Sequence, residues 1–116
     1  MRTSTRKINN TLGKQIRTTL SLAISDLDGI KETEKFMSDF LTEDEYDNFA
    51  KRLAVGYWLK KGRSYANIKE NLKVSSATIA EVTKMMDKPG FKLILKKVEA
   101  EEWSTKWAQR IKKIIK

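Results

Sequence analysis

The chain has 116 residues, 40% of them hydrophobic, and 24 Lys and Arg against 15 Asp and Glu give it a formal net charge of +9 with no cysteine and no histidine. That length makes one domain with a modest core, and pairing with a second copy would improve its surface-to-volume ratio. The missing Cys and His remove disulfides, thiolate catalysis, His-ligated metals and the usual neutral-pH general base, and no Walker-type or dinucleotide-binding glycine run appears, so no enzyme, cofactor or metal is expected.

A basic domain of this size belongs near phosphate backbones or an anionic membrane surface. Residues 1–12 are polar, Asn/Thr-rich and basic, which predicts a flexible arm whose Arg2, Arg6 and Lys7 are placed to enter a minor groove. No apolar stretch of signal-peptide or membrane-spanning length follows them, so the expected location is the cytoplasm, in association with the nucleoid. Ile16, Leu20, Ala23, Ile24 and Leu27 keep helical spacing from about Lys14, and Asp28-Gly29 stops that helix. A second short helix is predicted over Lys31 to Phe40, with Phe36, Met37 and Phe40 as its buried set.

The third helix has the clearest start. Thr42 is its N-cap, Glu45 takes the reciprocal capping-box position, and Leu41 is placed to staple onto Tyr46. Tyr46, Phe49, Ala50, Leu53, Ala54, Tyr57 and Trp58 then form a core-facing stripe that ends near Gly62. Charge changes sign along this stretch. Residues 26–47 hold nine acids and only Lys31 and Lys35, whereas residues 51–73 hold seven cations against Glu70 alone. A solvated charged face explains either block, but segregation suits a protein with one face toward phosphates.

Residues 64–86 read as two short amphipathic helices broken at Lys73-Val74. Ile68 and Leu72, then Val74, then Ile79 and Val82, form an apolar set that wedges two helices at a steep angle, as in a helix-turn-helix. Ser75, Ser76, Thr78, Glu81 and Lys84 cap or project from the second helix, where short polar side chains can reach base edges in a major groove. Such helix pairs also occur as plain scaffold in all-α proteins. Asp87-Lys88-Pro89-Gly90 then reads as a turn, and Phe91, Leu95, Trp103, Trp107, Ile111 and Ile115 mark an amphipathic helix of about 24 residues with a Lys-rich opposite face. Its first residues, FKLILKK, also fit a strand, but no sheet partner is evident.

Leu41 to Met86 resembles the core of the tryptophan-repressor superfamily, particularly its repressor-related members. The likeness rests on the Leu41-Thr42 helix start, Arg52 ten residues after the threonine, Gly62, Ser64-Tyr65, and above all Val74-Ser75-Ser76-Ala77-Thr78-Ile79 at the opening of the recognition helix. The resemblance implies an all-α, intertwined homodimer with two helix-turn-helix units in adjacent major grooves. It also implies that Lys69 contacts phosphate and that Ser76, Ala77 and Ala80 face base edges, with the Ala80 methyl suited to thymine. Arg63, Tyr65 and Lys73 complete the candidate DNA-contacting set. Thr42 and Arg52 match residues that line the family's corepressor pocket.

Two departures carry consequences. The tryptophan repressor holds its ligand's indole between two arginines; Arg52 keeps the first, but Glu81 stands at the second and repels the ligand's carboxylate, so L-tryptophan is not the expected effector. Either no small ligand or a cationic one is expected, or Glu81 simply pairs with Lys84 or accepts from a cytosine amine. Lys73 occupies a turn position usually held by glycine, where a left-handed backbone costs a lysine about 1 to 2 kcal/mol. The expected architecture is therefore all-α with about six helices: an arm over 1–12, a DNA-binding domain over 13–88, and a C-terminal helix over 89–116. The expected function is sequence-specific double-stranded DNA binding by a transcriptional regulator, a repressor. The alternatives are a nucleic-acid binder without sequence preference, or a helical module docking a protein or membrane through its C-terminal helix.

Overall fold

The computed structural model describes the backbone of residues 6–115 and side chains as far as Glu102. Six α-helices and no strand occur among the described residues: α1 Asn10–Ser25, α2 Gly29–Phe40, α3 Glu43–Lys60, α4 Tyr65–Leu72, α5 Ser76–Met85 and α6 Pro89–Ile115. They divide into two compact units, residues 1–43 and 44–116.

In the first unit α1 starts earlier than the expected Lys14, at Asn10, because Asn9 caps it: the Asn9 side chain accepts from the Leu12 N–H at 2.8 Å. Residues 10–12, expected in the flexible arm, are thus helical, while residues 1–5 of that arm lie outside the described residues. The stop also moves. α1 ends at Ser25, and Gly29, at φ 76°, opens α2, whose start is tied by a hydrogen bond from the Asp28 N–H to Glu32 Oε1 at 2.8 Å. No residue of α1 or α2 is buried. Phe36 stacks on Phe40 with centroids 4.9 Å apart, yet Phe40 remains 65% exposed, so the expected buried set of α2 is only half covered.

The second unit holds the core, in which Val55 of α3, Ile68 of α4, Val74 of the turn, and Ile79 and Val82 of α5 are buried against one another. Trp58, Leu59, Leu72 and Phe91 pack around them. The face of α3 differs from the expected stripe: Val55 and Gly56 are its buried residues, and Phe49 is 47% exposed. A Cβ on Gly56 would lie 2.4 Å and 2.6 Å from the Phe91 ring, so the missing side chain is what lets α6 approach α3. Glycine carries no apolar signal, which is why a periodicity of large residues misplaces this face.

α3 ends in a Schellman arrangement around Gly62, at φ 81°, with Gly62 N–H donating to the Leu59 carbonyl at 3.0 Å and Arg63 N–H to that of Trp58 at 3.1 Å. Pro89 does not belong to a turn as its sequence context indicates. It is the first residue of α6, where a missing N–H costs nothing and its fixed φ is already helical. The FKLILKK segment is helix rather than strand, with Leu95 buried. The expected stripe positions Trp103, Trp107, Ile111 and Ile115 have side chains outside the described residues.

Candidate nucleic-acid interface

Three short-range devices build the helix pair. Ser64 caps α4 by accepting from the Asn67 N–H at 3.1 Å, and Ser75 caps α5 by accepting from the Thr78 N–H at 3.1 Å. Between them Lys73 takes φ 55° and ψ 49°, the left-handed region, and no other described non-glycine residue has a positive φ. This is the geometry a helix-turn-helix needs at that position, met here by a residue with a Cβ. Val74 beside it is buried and anchors the turn.

With Ile79 and Val82 facing the core, the 3.6-residue turn puts Ala77, Ala80 and Lys84 on the opposite side of α5 and Ser76 at its flank, and all four are exposed. Glu81, also exposed, lies at the edge of that face toward Thr78. Ser75 and Thr78 are less free. The Ser75 hydroxyl is engaged as a cap and lies 3.0 Å from that of Thr78, which is half-buried. The outer face of α5 is therefore small: two methyl groups flanked by a hydroxyl, a carboxylate and an ammonium.

Tyr65 is half exposed, and its hydroxyl is committed within the fold. Thr83 donates to the Ile79 carbonyl at 2.8 Å, so in the 2.9 Å contact between the two hydroxyls Tyr65 is the donor. That bond ties the start of α4 to the C-terminal half of α5 and fixes their crossing. Lys69 is exposed on α4. Arg63 is exposed yet ordered: its guanidinium sits 3.9 Å from the centre of the Trp58 ring, and Nη1 donates to Asn67 Oδ1 at 3.4 Å. Neither the Tyr65–Thr83 bond nor the Arg63–Trp58 stack is visible as a motif. The only sequence signal for the stack is a tryptophan and an arginine on either side of a helix-ending glycine.

A cavity of about 470 Å³ opens between α3 and the turn, with Arg52 and Glu81 both in its wall. Glu45, Lys51 and Lys73 line it too, with Phe49 and Val74 as its main apolar surface. Arg52 is steadied by a long contact from Nη2 to the Met85 sulfur at 3.9 Å. Thr42, the other residue matched to a ligand pocket, is exposed just ahead of α3, in the first unit. Among the described residues no cluster of acids could hold a metal, and no helix is long and apolar enough to cross a membrane.

Residues 15–99 match the family model described as Trp repressor protein. No curated protein and no solved structure matches the chain.

Proposed function

Since the chain belongs to the Trp repressor family, we propose that it is a transcriptional regulator, a repressor, that reads double-stranded DNA with α5 in the major groove. The observation that carries this reading is the bare outer face of α5, where Ser76, Ala77, Ala80 and Lys84 are exposed on a helix whose other side is locked into the core. Short side chains let the helix backbone come close to base edges. Ala77 and Ala80 suit thymine methyl groups, and Ser76, Glu81 and Lys84 can hydrogen-bond to bases or phosphate. Lys69 and Lys73 supply sequence-independent affinity.

The working unit is a homodimer. α1 exposes Leu12, Ile16, Leu20 and Ile24 in an unbroken four-residue rhythm among the described residues, and an isolated helix of 16 residues is marginal on its own. A second copy offers the same surface, and the pair would recognise half-sites about 34 Å apart. Arg52 and Glu81 belong to an effector pocket that L-tryptophan does not fill, because its carboxylate would meet Glu81. The pocket is either without an effector or fitted to a ligand with a positive group toward Glu81. Such a role places the protein in the cytoplasm, at the nucleoid.

Ala77→Glu tests the reading face directly. Ala77 is exposed on a helix, so the variant should melt as the wild type does while losing binding to duplex fragments of the source genome. Undiminished binding by a folded Ala77→Glu protein would contradict the assignment of α5.

A further inference from the structure

The cations at the α3–α4 junction are not equivalent. Lys60 is engaged by Glu99 at 3.2 Å. Lys61 sits loosely over the Tyr57 ring, 5.4 Å from its centre. Arg63 is held on three sides: its backbone N–H by the Trp58 carbonyl at 3.1 Å, its guanidinium face by the Trp58 ring at 3.9 Å, and Nη1 by Asn67 at 3.4 Å. A guanidinium has five N–H donors, and one of these is used, so an ordered, exposed edge of donors is left over among the described residues.

Arg63 stands just ahead of α4, whose first residue is tied to α5. Tyr65, two residues on, reaches Thr83, and Thr83 flanks Ser76 and Ala80 on α5. A first motif helix crosses the DNA backbone where the second enters the groove, so its N-terminus is where a phosphate passes. A flexible arginine must surrender its rotamer freedom on binding phosphate, whereas one already stacked surrenders less.

We infer that Trp58 is a positioning residue for phosphate recognition: together with Asn67 it holds Arg63 as a pre-formed anchor for the DNA backbone beside the major groove. The inference rests on the DNA-binding reading above. It assigns to Trp58, a residue at the edge of the core, a role in binding through a second side chain.

The test is a double-mutant cycle on duplex affinity, with its salt dependence, in the full chain. Arg63→Ala should lower the slope of log affinity against log salt by about 0.9, one phosphate's worth. Trp58→Leu should weaken binding roughly three- to tenfold in the wild type and not at all in the Arg63→Ala background. Trp58→Phe, which keeps a ring under the guanidinium, should restore most of that loss. Because Trp58 also packs on the core, Asn67→Ala provides an arm that spares packing, since Ser64 caps the Asn67 backbone rather than its side chain. It should weaken binding about twofold, again only when Arg63 is present. Equal losses with and without Arg63 would reduce Trp58 and Asn67 to structural roles and overturn the inference while the DNA-binding reading stands. A wild-type chain that binds no duplex would overturn both.

Discussion

Replacing Lys73 by glycine separates the cost of the turn from its use. At φ 55° and ψ 49° a lysine carries about 1 to 2 kcal/mol of strain that glycine does not. Glycine loses more backbone freedom on folding, worth about 0.5 to 1 kcal/mol in the opposite direction. Lys73 is exposed and makes no ion pair among the described residues, so little else is lost. The net expectation is that Lys73→Gly is more stable by about 0.5 to 1 kcal/mol, a rise in melting temperature of roughly 2 to 6 °C. Lys73→Ala removes the same charge and keeps the strain, so it should sit within about 0.5 kcal/mol of the wild type. Urea unfolding at fixed protein concentration reads this as a midpoint that rises for glycine only, with the denaturant slope unchanged. Both variants should lose DNA affinity equally, and their salt slope should fall by about 0.9 if the ammonium meets a phosphate. A Lys73→Gly protein no more stable than Lys73→Ala would refute the strain argument. Unchanged affinity in both would leave the lysine without a phosphate role.

Gly56→Ala should destabilise the protein by about 1 to 3 kcal/mol in thermal melts, because its Cβ meets the Phe91 ring; Phe91→Leu in the same chain should recover part of the loss. Ser75→Ala should cost about 1 kcal/mol by removing the α5 cap, while the preferred duplex sequence stays the same in binding-site selection. L-tryptophan should give no saturable heat at micromolar concentration in calorimetry, and a clear isotherm would contradict the role given to Glu81. Sedimentation equilibrium should return twice the 13.4 kDa chain mass, and Leu20→Arg, on the exposed stripe of α1, should shift it toward one.

The parts of the fold that local chemistry dictates are the parts that can be read from the chain. Ile68, Val74, Ile79 and Val82 are buried as their spacing indicates, and Lys73 sits in the left-handed region that the glycine-like position requires. Both depend on residues a few positions apart. The buried face of α3 could not be read the same way. It is chosen by Phe91 arriving from a distant helix at Gly56, a residue with no side chain to announce it. The start of α1 was hidden for a milder reason, since its first turn holds Asn10, Thr11 and Gly13 beside Leu12, and the cap that permits it is a polar asparagine. In the candidate interface, Ala77, Ala80, Glu81 and Lys84 fall on the outer side of α5, with Ser76 at its flank, as their register requires. Tyr65 and Arg63 differ because side chains 18 and five residues away, Thr83 and Trp58, decide what they can do. Such contacts arise from the crossing of α4 and α5 and the end of α3, which no single helix specifies.

Sequence-specific recognition is decided by selecting bound duplexes from a randomised DNA pool at about 150 mM salt, where purely electrostatic binding weakens to roughly 10⁻⁴ to 10⁻⁶ M. Enrichment of a two-fold-symmetric sequence with half-sites about one helical turn apart is the predicted result. Retention of DNA with no enriched sequence, or no retention at all, would contradict it.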